Sequence, residues 1–264
     1  MQIDLTGKRA VVSGSTAGIG LAIARGLAAA GAHVFINGRT EARVEKAITD
    51  ILATVPGATL SGAAGDMGTA AGAAALVAQA KDIDILVNNV GSGELKPFGE
   101  LTDEDWTRLF DLNVMSGVRL TRHYLPDMVE RGWGRVVFIS SESALNIPKE
   151  MIHYGMTKTA QLAVSRGVAE TVAGTGVTVN AVLPGPTLSE TLLGWLEPVV
   201  KQTGKNLDEV GQDFLMANRP TSLIKRFAST EEVANMVVYV CSQQASATTG
   251  TALRVDGGVV RSVV

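Results

Sequence analysis

A tyrosine and a lysine four residues apart, with a serine thirteen residues before the tyrosine, are the side chains of this sequence best suited to proton transfer. They are Tyr154, Lys158 and Ser141. If the segment that carries Tyr154 and Lys158 is a helix, the two side chains share one face of it. A tyrosine hydroxyl ordinarily has a pKa near ~10, and a neighbouring ammonium group lowers that pKa because it stabilises the phenolate. The pattern therefore predicts a tyrosine that can give or take a proton near neutral pH.

A glycine-rich turn near the start of the chain has the form of a dinucleotide-binding motif. It follows the apolar run Ala10–Val12 and opens an alanine-rich helical pattern that ends at Gly31. Gly14 permits a tight turn, Gly18 lets the backbone approach a pyrophosphate, and Gly20 allows the helix to pack closely on the strand. The free N–H groups at the helix N-terminus would bind the phosphates. The turn residues expected at the cofactor are Gly14, Ser15, Thr16, Gly18, Ile19 and Gly20.

Short apolar runs alternate with helical patterns from one end of the chain to the other. This alternation predicts a parallel sheet that helices cover on both faces. The carboxyl ends of parallel strands lie on one side of a sheet, where a ligand crevice opens. The seven predicted strands are Ala10–Val12, His33–Ile36, Thr59–Ala63, Ile85–Val87, Arg135–Ile139, Val177–Leu183 and Ala252–Val255.

The size and charge of the chain restrict its class. With 264 residues, of which 46% are hydrophobic, it can bury one large core, so we expect a single domain over residues 1–264. The net charge of −3 argues against nucleic acid or a membrane surface as partner. No apolar stretch approaches the ~20 residues that cross a bilayer. A small neutral or anionic metabolite is the better partner.

The cysteine and histidine residues indicate neither a disulfide framework nor a metal site. Cys241 is the only cysteine, and we expect it to be a small buried apolar side chain in a reducing compartment. His33, His123 and His153 are scattered without cysteine or carboxylate clusters, so we expect no metal. We expect His153 to be a pocket-wall or surface residue rather than a second catalyst. Because no secretory signal pattern is visible, we expect a cytoplasmic protein.

Seven motifs follow one another in a characteristic order: Gly14-x-x-x-Gly18-x-Gly20, Asn88-Asn89-Val90-Gly91, Asn113, Ser141, Tyr154-x-x-x-Lys158, Pro184-Gly185 and Val255-Asp256-Gly257-Gly258. Through them the sequence resembles the short-chain dehydrogenase/reductase family over nearly its whole length. Ser13 stands where the family often has Thr, and Val90 where Ala is usual, but neither change removes a catalytic group. The resemblance implies a single-domain Rossmann fold with a doubly wound seven-stranded parallel sheet and helices on both faces.

The resemblance also implies a role for each residue of the proton-transfer set. Tyr154 would donate a proton to the carbonyl oxygen of a substrate, and Ser141 would position and polarise the same oxygen. Lys158 would lower the pKa of Tyr154 and bind the nicotinamide ribose. Asn113 would bend a helix and hold a water that links Lys158 to solvent. Glu142 directly follows Ser141, and on this reasoning it faces either the substrate or the solvent.

The residues after the second predicted strand bear on the form of the cofactor. NAD-dependent members of the family generally carry an acidic residue there, whereas this chain has Gly38 followed by Arg39. Without a carboxylate nothing repels a 2′-phosphate, and the Arg39 guanidinium can bind it through two N–H donors. We therefore expect NADP(H), with NAD(H) as the alternative if Arg39 is only a solvated charge. Asp66 is also suited to cap the helix that follows it. The resemblance places further cofactor contacts at Asp66, Met67, Asn89, Gly91, Tyr154, Lys158, Pro184, Gly185 and Thr187.

The segment after the sixth predicted strand is unusually long. Residues 184–220 hold several prolines and glycines among short apolar clusters, so we expect an irregular substrate lid at about 184–226. The apolar side chains of this segment either line a substrate pocket or pack the lid's own helices against the core. They are Leu192, Leu193, Trp195, Phe214, Leu215 and Met216.

Together these features predict an NADP(H)-dependent oxidoreductase that transfers a hydride between the nicotinamide and a ketone or secondary alcohol. One alternative is a 3-oxoacyl-carrier-protein reductase, which by resemblance would dock its carrier through arginines near the fifth and sixth strands. Gly132 and Thr175 stand at those places, while Arg131 and Arg135 leave the question open. A second alternative is a protein that senses NADP(H) without catalysis, but such proteins usually lack the tyrosine or lysine that this chain has.

Assembly is predicted from the resemblance and from two apolar surfaces. Family members usually form tetramers, which implies a homotetramer with D₂ symmetry. The segment 257–264 is too apolar to be a solvated tail, so we expect it to dock on its own or a neighbouring subunit. The helix that carries Tyr154 has apolar residues around much of its circumference, more than one core-facing stripe needs. These residues are Ala160, Leu162, Ala163, Val164 and Val168.

Overall fold

Seven parallel strands form one sheet in the computed structural model, which describes residues 2–263. Their order across the sheet is β3-β2-β1-β4-β5-β6-β7, and every neighbouring pair is parallel. The predicted single domain over residues 1–264 includes Met1 and Val264, which lie outside the described residues. The strands are β1 Arg9–Val12, β2 His33–Ile36, β3 Leu60–Gly62, β4 Ile85–Asn88, β5 Gly134–Ile139, β6 Val177–Pro184 and β7 Ala252–Val255.

Helices cover both faces of this sheet, so the predicted doubly wound fold is confirmed. The α-helices of the described residues are α1 Gly18–Ala29, α2 Glu41–Thr54, α3 Ala70–Gln79, α4 Asp103–Phe110, α5 Ser116–Glu130, α6 Ile152–Thr171, α7 Glu190–Thr203, α8 Leu207–Asn218 and α9 Thr230–Val240. Helices α1, α2 and α9 share one hydrophobic core with the sheet, and α3, α5 and α6 share a second core on its other face. None of the described helices has the length and apolar content to cross a membrane.

The strands have continuous apolar sequences because both faces of the sheet are covered. All residues of β4, β5 and β6 are buried. β-branched residues such as Val179 and Ile85 suit this environment because they pack well against neighbours on a pleated surface. The apolar sequence pattern therefore predicted these strands to within one or two residues at each end.

The order of the strands determines where a ligand can bind. β1 lies between β2 and β4, so the connections leave β1 and β4 toward opposite sides of the sheet. Val12 of β1 is in register with Val87 of β4, which brings the carboxyl ends of the two strands level. A crevice opens at such a switch point. The loops after β1, β4, β5 and β6 surround it.

The segment expected to be irregular over residues 184–220 instead contains α7 and α8. Ser189 caps α7 and accepts from the backbone N–H of Leu192, and Asn206 forms a capping box at the start of α8. Gly204 ends α7 in a left-handed conformation with φ 69°. The prediction of irregular structure was wrong because these caps and a shared apolar cluster outweigh the internal prolines and glycines. The cluster contains Leu192, Leu196 and Val210, with Phe214 and Phe227 against it.

The end of the chain docks partly on its own subunit. Val259 is 2% exposed, and its carbonyl oxygen accepts from Thr221 Oγ1 at 2.6 Å. The backbone N–H of Val260 donates to Asp256 Oδ2 at 3.0 Å. Val263 is 94% exposed, and Val264 lies outside the described residues. Arg254 Nη1 also donates to the carbonyl oxygen of Ser262 at 2.7 Å, so the predicted docking of this segment is seen within one chain as far as Ser262.

Candidate active site

A large cleft occupies the switch point at the carboxyl edge of the sheet. Its volume is about 1640 Å³. Two predicted site residues, Ser15 and Asn113, are absent from its lining. The predicted residues that line it are Gly14, Thr16, Gly18, Ile19, Gly20, Arg39, Asp66, Met67, Asn89, Gly91, Ser141, Tyr154, Lys158, Pro184, Gly185 and Thr187.

The glycine turn after β1 has no room for side chains at two of its glycines. A Cβ atom on Gly20 would lie 2.4 Å from Asn89 Nδ2 and 2.4 Å from the carbonyl oxygen of Gly14. Gly14 has φ +64°, and a Cβ there would lie 2.8 Å from Val90 Cγ2. Asn89 Nδ2 also donates to the carbonyl oxygens of Ser13 and Gly14 at 2.9 and 3.1 Å. This close packing brings the backbone of the turn to the floor of the cleft, a surface that fits a dinucleotide.

Ser15 supports the turn from behind and does not reach the cleft. Its Oγ donates to the carbonyl oxygen of Val12 at 2.8 Å and accepts from the backbone N–H of Asn37 at 2.9 Å. Its own backbone N–H donates to the carbonyl oxygen of Asn37 at 2.8 Å. Both donors of Ser15 are engaged within the protein, so the structure gives no support to the prediction of Ser15 as a cofactor contact.

Asn37 was not predicted as a site residue, but its side chain links the glycine turn by hydrogen bonds to the residues that follow β3. Asn37 Oδ1 accepts from the backbone N–H of Gly14 at 3.0 Å, and Nδ2 donates to the carbonyl oxygens of Ala63 and Gly65. An asparagine directly after an apolar strand was a visible signal, because such positions lie at the carboxyl edge of the sheet. Its three partners, however, become neighbours only when β1, β2 and β3 pair.

Two unpaired arginines stand where the cofactor's adenosine end is expected. Arg39 and Arg43 are both exposed and line the cleft, and neither guanidinium has a partner within residues 2–263. Arg43 was not predicted as a cofactor contact, although it lies four residues after Arg39. A Cβ on Gly38 would lie 2.4 Å from Thr16 Cγ2, so this position has no space for a ribose-binding carboxylate. The pair of guanidiniums fits a 2′-phosphate.

Asp66 lies on the cleft and does not cap the next helix. Thr69 is the N-cap of α3 and accepts from the backbone N–H of Gly72 at 3.0 Å. Asp66 Oδ1 accepts from the backbone N–H of Gly68 at 3.0 Å, which leaves its second carboxylate oxygen, Oδ2, unbonded within the described chain. The alternative reading of Asp66 as an N-cap was therefore wrong.

Ser141, Tyr154 and Lys158 meet at the centre of the cleft. Ser141 follows β5 in extended backbone, and its Oγ accepts from the backbone N–H of Ser143 at 3.1 Å. Tyr154 lies in the first turn of α6, and its side chain lines the cleft together with that of Ser141. Lys158 Nζ lies 5.6 Å from the centroid of the Tyr154 ring and donates to the carbonyl oxygen of Ile139 at 2.9 Å.

The pKa values of the tyrosine and the lysine differ from the expectation. Burial raises the pKa of Tyr154 to about 12, although the hydrogen bond with Ser141 acts in the opposite direction. Burial also lowers the pKa of Lys158 to about 7, so much of this lysine is uncharged near neutral pH. The predicted lowering of the Tyr154 pKa by Lys158 is not seen in the protein alone, because a partly neutral amine stabilises a phenolate only weakly.

Asn113 lies behind Lys158 and is fully buried. It belongs to a short π-helical segment, Asp111–Met115, between α4 and α5. Its Oδ1 accepts from the backbone N–H of Ser92, and its Nδ2 donates to Thr157 Oγ1, both at 2.9 Å. Its carbonyl oxygen accepts from Gln161 Nε2 at 2.7 Å. The π-helical segment interrupts the regular helix at Asn113, where a bend was predicted. The water link from Lys158 to solvent stays a prediction.

Gln161 is a further residue that the sequence reading missed. It is 1% exposed, and its Oε1 accepts from Lys158 Nζ at 3.2 Å. One amide therefore bridges the lysine and the Asn113 carbonyl. Its position one helical turn after Lys158 was the only signal in the sequence.

Three of the six apolar lid residues line the cleft. These are Leu192, Trp195 and Phe214. Leu215 is buried in the lid and Met216 is 55% exposed, while Leu193 is half-buried away from the cleft. Some of these side chains therefore line the cleft, while others pack within the segment. That the cleft-lining ones contact a substrate stays a prediction.

The residues considered for other chemistry take structural positions. His153 is fully buried and its ring packs against Trp106 at 6.0 Å between centroids, so its prediction as a pocket-wall or surface residue was wrong. Cys241 is buried as expected, and burial raises the pKa of its thiol to about 12. Over residues 2–263 no three His, Cys, Asp or Glu side chains group as metal ligands.

A doubly wound parallel sheet, a glycine turn at its switch point and a Ser–Tyr–Lys set in the same cleft define a Rossmann-type oxidoreductase. The sequence model of the family described as short chain dehydrogenase matches residues 8–196. The chain belongs to the short-chain dehydrogenase family.

Relatives with full-length coverage agree with this assignment. An uncharacterised oxidoreductase of Bacillus subtilis, YvaG, is 48% identical over 100% of both chains. The 3-oxoacyl-[acyl-carrier-protein] reductase FabG of Aquifex aeolicus is 33% identical over 98% of this chain and 100% of its own. The crystal structure of L-sorbose reductase from Gluconobacter frateurii, complexed with NADPH and L-sorbose, is 34% identical over 100% of both chains with a TM-score of 0.93.

Proposed function

We propose that this protein is an NADP(H)-dependent oxidoreductase that transfers a hydride between the nicotinamide and a ketone or secondary alcohol by a Ser–Tyr–Lys–Asn mechanism. The observation that carries the proposal is that Ser141, Tyr154 and Lys158 line the same cleft as the glycine turn. A reacting carbonyl oxygen that contacts both hydroxyls would lie beside any nicotinamide that occupies the same cleft.

When bound, the nicotinamide would supply or accept the hydride, and the side chains of the protein would transfer one proton to or from the substrate oxygen. In the reductive direction Tyr154 Oη gives its proton to the carbonyl oxygen. Ser141 Oγ donates a hydrogen bond to the same oxygen, where negative charge develops. In its protonated form, Lys158 has one Nζ proton beyond those that Ile139 and Gln161 accept, and this third donor is available to the ribose or to the tyrosine.

Arg39 and Arg43 support NADP(H) as the form of the cofactor. Their guanidiniums are unpaired within the described chain and line the end of the cleft formed by β1 and β2. A 2′-phosphate would receive charge-assisted hydrogen bonds there, whereas NAD(H) would leave both cations without a partner. The solved relative bound to NADPH agrees with this choice.

A carrier protein as substrate receives less support. Arg131 Nη2 donates to the carbonyl oxygen of Ile83 at 2.6 Å, and its Nε lies 3.5 Å from Asp84 Oδ1. Arg135 is 1% exposed and donates to three backbone carbonyl oxygens. Neither guanidinium is free to bind an acidic carrier, which favours a small-molecule substrate.

The test is an assay of purified protein with NADPH and a panel of ketones. Oxidation of NADPH that depends on a ketone is the expected result, and it distinguishes an enzyme from a protein that only senses the cofactor. Tight NADPH binding without turnover on any ketone would support sensing. Turnover with NADH at a higher kcat/KM than with NADPH would overturn the choice of cofactor.

The bridge at Gln161 gives a first prediction. Gln161→Leu removes one acceptor from Lys158 and leaves the buried Asn113 carbonyl without a donor. Since a hydrogen bond of this kind contributes about 0.5–1.5 kcal/mol, we expect kcat to fall about 2- to 10-fold while KM for the ketone changes little. Steady-state kinetics and thermal unfolding measure the two effects separately.

Ser165→Ala is the matched control for this variant. Ser165 is also buried on α6, and its Oγ has no partner within the described residues, so its loss leaves kcat unchanged. If Gln161→Leu lowers the unfolding temperature but keeps the wild-type kcat, Gln161 contributes only to stability.

We further propose that the protein is a cytoplasmic homotetramer with D₂ symmetry. On α6, Ala163 is exposed and Leu162, Val164 and Val168 are only half-buried in one chain. An apolar face of this kind fits a subunit interface.

Light scattering is expected to give a mass about four times the 27.5 kDa of one chain. Ala163→Arg places a charge on the proposed interface, and we expect it to lower the mass. Ala53→Arg, at an exposed position of α2, serves as the control and keeps the tetramer. A wild-type mass of 27.5 kDa would contradict the assembly.

A further inference from the structure

We propose that Glu142 and Arg219 form the substrate-recognition pair of this enzyme and that they select a neutral ketone carrying a hydroxyl group beside its carbonyl. The proposal rests on the hydride-transfer function given above and names the class of its substrate. Neither residue has a part in the Ser–Tyr–Lys–Asn mechanism.

The pair lies beside the reacting groups. Glu142 directly follows Ser141, and Arg219 directly follows α8. Arg219 Nε donates to Glu142 Oε1 at 2.7 Å, and the two side chains are 12% and 4% exposed. Both residues line the cleft together with Tyr154. After burial and the Ser141 hydrogen bond, Glu142 raises and Arg219 lowers the pKa of Tyr154, so both charges act at the tyrosine.

The carboxylate of Glu142 is only half satisfied. Its Oε1 accepts from Arg219 Nε and from Ser143 Oγ at 3.2 Å. Its Oε2 is buried and has no hydrogen-bond partner within residues 2–263. A buried carboxylate oxygen without a donor is costly, and native structures supply a partner for nearly all such atoms. A donor from a molecule in the cleft is the missing partner, and the terminal torsion of a glutamate turns easily to meet it.

Arg219 also has hydrogen-bonding capacity to spare. Its Nη1 donates to the carbonyl oxygen of Asn218 at 2.8 Å, while its Nη2 donates to no described residue. The pair therefore offers one acceptor, Glu142 Oε2, and one donor, Arg219 Nη2. A hydroxyl group both donates and accepts, so it is the ligand group that matches the pair.

The charges around this part of the cleft favour a neutral substrate over a carboxylate. The Arg219 charge is neutralised by Glu142. Beyond the glycine turn, Lys96 is paired with Asp105 and Arg108 with Glu94. Lys158 donates to Ile139 and Gln161, and Lys149 is exposed and has the acidic Glu150 next to it in the lining of the cleft. A substrate carboxylate beside Tyr154 would compete with Glu142 for Arg219 and would meet the Glu142 charge at close range.

Two ketones that differ only in hydroxyl groups test the proposal. Dihydroxyacetone has a hydroxyl on each side of the carbonyl, and diethyl ketone has a methyl group in each place, so the orientation of binding does not matter. The measured quantity is the ratio of kcat/KM for dihydroxyacetone to kcat/KM for diethyl ketone. Both rates come from one preparation, so partial unfolding of a variant leaves this ratio unchanged.

We expect the wild-type ratio to exceed ~10, because a hydrogen bond to a charged group is worth about 1.5–3 kcal/mol. Glu142→Gln removes the charge and is expected to lower the ratio about tenfold. The double variant Glu142→Leu with Arg219→Leu removes the pair without leaving a buried charge unpaired, and its ratio should approach one. Asp213→Asn breaks an exposed ion pair of α8 with Lys205, lies off the cleft, and should keep the wild-type ratio.

The outcomes separate this inference from the proposed function. If the wild-type protein reduces both ketones equally well and Glu142→Gln leaves the ratio unchanged, the recognition pair is overturned while the hydride-transfer function stands. If none of the ketones supports oxidation of NADPH by the wild-type protein, both the proposed function and this inference are overturned. A higher kcat/KM for acetoacetate than for dihydroxyacetone would overturn the neutral substrate.

Discussion

Tyr154→Phe is expected to lower kcat by about 100- to 10,000-fold, the usual contribution of a general acid or base. The substitution removes the proton donor and keeps the ring, so the packing of α6 against the cleft is retained. Affinity for NADPH should stay close to that of the wild type, because the loss of one hydroxyl leaves the glycine turn, Arg39 and Arg43 in place to bind the dinucleotide. Steady-state turnover and a fluorescence titration with NADPH measure the two quantities.

Tyr124→Phe provides the matched control for the loss of a tyrosine hydroxyl. Tyr124 is 2% exposed on α5, and its hydroxyl donates to the carbonyl oxygen of Ala80 at 2.8 Å, away from the cleft. We expect it to lose about 1 kcal/mol of stability and no activity. If Tyr154→Phe retains more than half of the wild-type kcat, Tyr154 is not the proton donor.

Arg39→Ala is expected to lower kcat/KM for NADPH about 10- to 100-fold and to leave kcat/KM for NADH nearly unchanged. The reason is the loss of a charge-assisted hydrogen bond to the 2′-phosphate, worth about 1.5–3 kcal/mol. Arg43 remains in the variant, so some preference for NADPH should survive. The ratio of kcat/KM for the two cofactors measures the effect.

Lys46→Ala is the control for a lost cation on α2. Lys46 is exposed and paired with Asp50 at 2.6 Å, and it does not line the cleft. The Lys46→Ala variant should leave the ratio of kcat/KM for NADPH to kcat/KM for NADH unchanged. Equal losses with NADPH and NADH in Arg39→Ala would show that Arg39 does not contact the 2′-phosphate. Gly38→Asp is a poorer test, since its Cβ would clash with Thr16.

The local parts of the cleft were predictable because their geometry depends on residues close together in the chain. A spacing of four places Tyr154 and Lys158 on one face of any helix. The order of strand, glycine turn and helix determines the conformation around Gly14 and Gly20 with little help from the rest of the molecule. The apolar runs predicted all seven strands, since a strand buried on both faces must be apolar along its length.

Contacts between distant segments could not be predicted in this way. Arg219 and Glu142 are separated by 77 positions, and Gln161 and Asn113 by 48. Each pair forms only because α6 and α8 pack near the ends of the strands. The packing of α6 also buried His153, and the pairing of β1 with β2 engaged the hydroxyl of Ser15 inside the turn, where sequence patterns pointed to more exposed roles.

The class of fold, the glycine turn and the candidate proton-transfer residues could be predicted from the sequence, because periodicity and short spacings act over one or two turns of chain. The tertiary structure alone decided the pKa directions of Tyr154 and Lys158, the bridge at Gln161 and the pairing of Glu142 with Arg219. These depend on burial and on which groups meet across the cleft, and both arise only when distant segments exclude water together.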